Sequence, residues 1–115
     1  MTTEEGNKLI AEFMGWYKSP YPNTPTSMYL KVPEIGEIGQ SISGLSYHQK
    51  WDILMPVVEK IRELGFKFII GDSNRVTVYN KDYDWRNGST SDLMLDCVWH
   101  GCVQFIKWYN KNVMV

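Results

Sequence analysis

Cysteine is scarce in this chain, long apolar runs are missing, and neither sign of charge dominates. Two cysteines among 115 residues, Cys97 and Cys102, exclude the disulfide framework that staples many small secreted domains. They lie on a segment that reads as one helix, about 140° apart around its axis, so they do not pair with each other. No apolar run approaches the ~20 residues that span a bilayer. The opening Met1-Thr2-Thr3-Glu4-Glu5 is acidic and lacks the cationic start of a signal peptide. These readings imply a reducing, cytoplasmic setting with no membrane partner. Twelve basic and thirteen acidic side chains leave a net charge of −1, without the basic stripe that phosphate neutralisation requires, and nucleic-acid binding is disfavoured.

The chain is rich instead in ring area. Aromatics make up 14% of it, with five Trp and seven Tyr, enough to build a well-packed core or an aromatic binding surface. The length is that of a single domain, residues 1–115, and internal repeats and low-complexity tails are absent.

Thr2 or Thr3 before Glu4 and Glu5 predicts a helix start, with carboxylates at the positive end of the dipole. Leu9, Ile10, Phe13, Met14 and Tyr17 recur at helical spacing, and the helix is expected to end near Tyr17 or Lys18, before Pro20, Pro22 and Pro25. Residues 19–46 read as a long irregular connection. Met28 to Val32 is a candidate strand inside it, and Gly36, Gly39 and Gly44 break any regular element after that strand.

Ser46 and Gln49 form a capping box for a second helix. Tyr47, Trp51, Leu54, Met55, Val58 and Ile61 fall within an arc of about 120° on its wheel. Pro56 predicts a kink and Gly65 a C-terminal cap. Phe66 to Ile70 and Arg75 to Asn80 alternate around a turn and read as a β-hairpin, with Tyr83 to Trp85 extending it or forming a bulged edge. Ser89 or Ser91 caps a third helix from about Thr90 to Asn110, whose core arc holds Leu95, Val98, Trp99, Cys102, Phe105, Ile106 and Tyr109. The fold class implied is α+β: a three-layer α/β/α sandwich, its small antiparallel sheet (the hairpin of about 66–80 plus one or two short strands) flanked by three helices.

The residues that carry chemistry elsewhere do not assemble a motif. Cys97 and His100 share a polar helix face while Cys102 falls among core residues, so a four-ligand zinc site is not formed. Asp82-Tyr83-Asp84-Trp85-Arg86-Asn87-Gly88 begins like a calcium loop. It then places Arg86 where an acceptor belongs and Leu93 where the bidentate glutamate belongs. His48, at the start of the second helix, is a candidate general base without a nucleophile nearby in sequence. No metal or cofactor is expected. Tyr21 and Tyr29 in the long connection, Trp85 beyond the hairpin, and Trp108 off the core arc of the last helix are the candidate partner- or ligand-binding residues.

Three segments resemble a family of small uncharacterised proteins of phages, prophages and bacterial mobile elements, the phage αβα-sandwich domain. They are Asn7-Lys8-Leu9-Ile10-Ala11-Glu12-Phe13-Met14-Gly15, then Tyr47-His48-Gln49-Lys50-Trp51-Asp52-Ile53-Leu54-Met55-Pro56-Val57-Val58-Glu59-Lys60-Ile61, and Phe105-Ile106-Lys107-Trp108-Tyr109-Asn110. The resemblance implies a three-layer fold around a small antiparallel sheet, a bacterial host cytoplasm and a mobile-element gene. It implies no activity and no functional residue.

The favoured expectation is a non-enzymatic accessory or interaction protein, binding a protein partner or itself through the long connection, the hairpin edge or the outer side of the last helix. The alternatives are a ligand-binding or hydrolytic domain with a pocket between residues 19–46 and the sheet, using His48, Asp82 or Asp84, and a nucleic-acid binder gathering Lys67, Arg75, Lys81 and Arg86 on the hairpin face.

Overall fold

Thr2 opens the first helix as the sequence implies: its Oγ1 accepts a hydrogen bond from the Glu5 amide at 3.1 Å. In the computed structural model, which describes residues 2–18, 26–71, 75–86 and 93–113, helix α1 runs Thr3–Phe13. It stops earlier than the apolar spacing suggests because Gly15 turns the chain with a φ of +103°, a conformation that glycine adopts without a Cβ penalty. Among the described residues, three α-helices and two antiparallel three-stranded sheets make the α+β class. They fall into two compact units, Met1–Ser46 and Tyr47–Val115.

In the first unit, α1 is succeeded by strands β1 (Tyr17–Lys18), β2 (Ser27–Val32) and β3 (Gly36–Ser41), in the order β1-β2-β3. The strand expected over Met28 to Val32 is present, but the irregular connection expected after it is not. Val32 to Ile35 form a tight turn, with the Ile35 amide donating to the Val32 carbonyl at 3.2 Å. Gly36 at φ +100° completes a hairpin. Pro33 presets the first turn position and Gly36 supplies the left-handed one, the recipe of a three-residue hairpin loop. Gly36 and Gly39, which read as interruptions, are thus hairpin parts. A 3-10 turn over Ile42–Gly44 comes next, closed by Ser41 Oγ accepting from the Gly44 amide at 3.1 Å. Buried Asn7 on α1 donates its side-chain amide to the Leu45 carbonyl at 3.0 Å, so its polar head is satisfied.

The second unit holds helix α2 (Trp51–Glu63), strands β4 (Lys67–Ile70), β5 (Val76–Asn80) and β6 (Tyr83–Arg86), and helix α3 (Met94–Asn112). The hairpin read from sequence is the β4–β5 pair, with Phe68 opposite Val78 and Ile70 opposite Val76. The segment after it does extend the sheet: Trp85 pairs with Val78, and β6 forms the far edge. Phe68, Val76 and Val78 are buried, whereas Lys67, Ile69 and Tyr79 on alternate positions are exposed. Both helices therefore cover one face of this sheet and leave the other to solvent.

α2 differs from its sequence-derived outline at its start. It begins at Trp51, with Lys50 as an N-cap that makes no side-chain bond, so Ser46 and Gln49 do not box it. The buried stripe is Leu54, Val57, Val58 and Ile61, and Trp51 is 40% exposed. Pro56 lies within a continuous helix and Gly65, at φ +97°, stands just past its end as expected. On α3, Cys97 is fully buried together with Cys102, Val98 and Phe105. The polar-face position expected for Cys97 is thus corrected, because the buried arc of α3 is broad enough to take in both thiols. The caps expected at Ser89 or Ser91 lie outside the described residues.

A cluster of rings closes one end of this core. Phe105 is fully buried, and its centroid lies 4.7 Å from that of Phe66, 5.7 Å from Tyr83 and 6.2 Å from Trp108. Burial pushes the Tyr83 phenol up from 10.0 to about 12. Its neutral form is favoured in the fold, so this contribution is complete below pH 10, where folded and unfolded chains are both protonated. It is lost between about pH 10 and 12 as only the unfolded chain ionises. Thermal stability measured across that window is expected to decline, and a Tyr83→Phe variant to decline less steeply. An identical alkaline profile for the two would show that another group controls it.

Candidate functional site

Strand edges are the places where a sheet leaves backbone donors and acceptors unpaired, and proteins commonly protect them. In the second unit the β4 edge is protected: the Arg62 guanidinium donates to the Phe68 carbonyl through Nη2 at 2.7 Å and Nε at 3.2 Å. β6 carries exposed Asp84 and Arg86, their charged atoms 3.5 Å apart.

Among the described residues, the β3 edge in the first unit has no such device. All six of its residues, Gly36-Glu37-Ile38-Gly39-Gln40-Ser41, are exposed. It contains no Lys, Arg or Pro, and pairs with β2 residue for residue from Ser27↔Ser41 to Val32↔Gly36 without a bulge. Beyond the ladder, the Ile42 amide donates to the Thr26 carbonyl at 2.7 Å. Antiparallel bonding alternates, so Gln40 and Ile38 likewise turn their backbone groups toward β2. Glu37, Gly39 and Ser41 turn theirs outward.

One face of this sheet is fixed by side chains around that edge. The Tyr17 hydroxyl donates to the Glu37 carboxylate, which holds the single charge of β3 in place. Tyr29 lies over Gly39, where a Cβ would come within 2.9 Å of the Tyr29 ring. Glycine at position 39 is thus the seat of an aromatic ring, a pairing that stiffens a glycine-containing strand. The Tyr17 and Tyr29 ring centroids are 6.3 Å apart. Lys31 stands opposite Glu37 in the register. Together these contacts hold β3 extended.

Each residue singled out from the sequence has its own local setting. Tyr21 lies outside the described residues. Tyr29 belongs to the β3 site, as a support for Gly39. Trp85 faces α3, within 3.2 Å of where a Cβ on Gly101 would stand. Trp108 is half-buried among Phe66, Tyr83 and Phe105, 4.7 Å from Tyr83 centroid to centroid. Both tryptophans are occupied by internal packing. His48, expected at the start of the second helix, sits in a turn ahead of α2 and not in its first turn. The Asp82 amide is bonded to Asn80 Oδ1 at 2.8 Å, a turn contact. Lys67 and Arg86 do share the exposed face of the second sheet, but Asp84 shares it too.

The described residues of the two units line open depressions, three of which are well formed. One of 320 Å³ is lined by Gly15, Tyr17, Leu30 and Lys31, and one of 450 Å³ by Lys31 to Pro33 with Gly36 and Glu37. The third, 440 Å³, runs along β4 beside Arg62. None of the three includes His48, Asp82 or Asp84. Among the described residues, no three metal-capable side chains converge, and no helix is long and apolar enough to cross a membrane. Burial pushes the Cys102 thiol well above its usual range, so it stays protonated and unreactive.

Sequence reasoning misses β3 because its glycines look like interruptions. The signal that locates it is Pro33 three residues before Gly36, the two special backbone positions of one hairpin loop. Compared with known protein families, curated proteins and solved structures, the chain matches none of them.

Proposed function

We propose that this chain is a non-enzymatic interaction protein that takes an extended segment of a protein partner onto the free edge of β3. The observation that supports this reading is the unprotected edge itself: six exposed residues, extended and unbulged, in a chain whose β4 edge has its Phe68 carbonyl taken by Arg62. Strand addition of this kind draws affinity from main-chain hydrogen bonds and specificity from alternate side chains. Glu37, Gly39 and Ser41 would supply the bonds, and Lys31, Glu37 and Ile38 the local selection. The mobile-element setting in a bacterial host rests on the wording of the three helical segments, and is part of the proposal on that ground alone.

The test is selection of linear peptides from a random displayed library against the folded chain, followed by backbone resonance mapping. Binders are expected to shift and protect the amides of Glu37, Gly39 and Ser41. An Ile38→Lys variant places an ammonium on the edge, as natural edge strands often do, and should weaken those peptides at least tenfold, about 1.4 kcal/mol. Its melting curve checks that the hairpin survives, which exposure of Ile38 favours. Peptides that map to another surface, or bind the variant equally well, would sink the reading.

A further inference from the structure

We infer that the extended segment that fits this edge is β3 of a second copy of the same chain, joined antiparallel about a two-fold axis through Gly39. The inference rests on the edge reading above and adds the identity of the occupant.

The register is what selects it. Only Glu37, Gly39 and Ser41 point their backbone groups outward, so an antiparallel partner must match outward residues with outward residues. Centring on Gly39 does this for all of them: Gly39 faces its own copy, and Glu37 faces Ser41 in both directions. Centring on Ile38 leaves Ser41 without an outward-facing partner in the strand. Centring on Glu37 sets two carboxylates directly opposite, which is repulsive. In the Gly39 register, by contrast, the carboxylates stand at opposite ends of the seam, each held on its own sheet by Tyr17. Ile38 lies across from Gln40, so the strand meets itself without a like charge directly opposed. Gly39 adds no side chain at the axis, and the Tyr29 ring of each copy leans over it from one face.

The result is a continuous six-stranded sheet with an isologous interface, the usual symmetry of a homodimer. The seam is a single short strand pair, well under the area of a standard interface, so association belongs in the micromolar range or weaker.

Sedimentation of the full chain from micromolar to millimolar concentration tests this. The mass should rise from 13.4 kDa toward twice that value. Residue 38 of each copy lies diagonally across the seam from residue 38 of the other, within reach of long side chains. Ile38→Lys and Ile38→Glu should each shift the dimerisation midpoint at least tenfold upward, and an equimolar mixture of the two should bring it back down. That rescue is one a merely damaged hairpin would not give. A chain that stays monomeric at millimolar concentration, or a mixture with no recovery, overturns the inference. If selected peptides nevertheless protect Glu37, Gly39 and Ser41, the edge reading stands and only self-pairing is lost. If peptides fail as well, both fall.

Discussion

Truncating Phe105 to alanine is expected to cost about 3–5 kcal/mol, as for other fully buried aromatic rings. Phe105 has no exposed surface, and its ring meets Phe66 edge-on at 4.7 Å and Tyr83 edge-on at 5.7 Å. Tyr109 stacks on it at 5.6 Å. The loss therefore combines the area of the ring, the cavity left behind and the edge-to-face contacts, which add about 0.5–1.5 kcal/mol per pair beyond area. The cavity should persist, because the neighbours are themselves large rings held by the sheet and helices and have little freedom to collapse inward. Domains of this size are stable by only about 5–15 kcal/mol, so about a fifth of the total or more would go. Urea unfolding monitored by tryptophan fluorescence reads this directly, as a lower midpoint with an unchanged slope. Tyr109→Ala, at a half-buried position on the same helix, should cost clearly less. Equal losses at the two sites would show that the cluster is not centred on Phe105.

How much of the molecule is legible in its sequence depends on the force each residue responds to. Helix periodicity reports burial on one face, and it places Leu54, Val58, Ile61, Val98, Phe105 and Ile106 in the core, where they are. The β4–β5 hairpin is legible because Phe68, Val76 and Val78 alternate with exposed neighbours. Periodicity does not say where a stripe begins, and Trp51, in phase with the core of α2, stands at the helix start partly in water. Nor does it say how wide a stripe is, and for that reason it puts Cys97 on the polar side. The β2–β3 hairpin is hidden because β3 buries nothing. An exposed strand leaves no hydrophobic alternation, and only its loop residues, Pro33 and Gly36, betray it.

The candidate site is hidden by the same logic. Trp85 and Trp108 draw attention as large rings outside the obvious apolar arcs, yet an off-arc ring can still be folded back onto a neighbour, as Trp108 is onto Tyr83. What distinguishes β3 is unpaired backbone, and every residue type carries backbone. The informative side chain is Arg62, whose use in sealing β4 shows by contrast which edge is left open. That relation depends on the Arg62–Phe68 geometry, which amino-acid order alone does not reveal.

Gly101 offers the second large effect, and here a graded series separates two opposing causes. It sits within α3, where glycine is about 1 kcal/mol worse than alanine on helix propensity alone. Its reason for being there is contact: a Cβ at this position would stand 3.2 Å from Trp85 and from Val76, and 3.3 Å from Phe68. All three belong to the sheet beneath, and Phe68 and Val76 are buried, so their neighbours restrict retreat. Gly101→Ala gains propensity but compresses three contacts at once, and the two terms nearly cancel. Gly101→Leu gains the same propensity and must place three further carbons where the sheet already lies. Overpacking by even small groups costs about 1–3 kcal/mol, and here the helix has to lift off the strands, so a loss of about 3 kcal/mol or more is expected. Denaturant melts of the two variants beside the parent would show alanine within about 1 kcal/mol and leucine far below, given a propensity gain of that size. A leucine variant as stable as alanine would mean that α3 and the sheet do not meet at Gly101, and that the close approach between them is not what sets the second core.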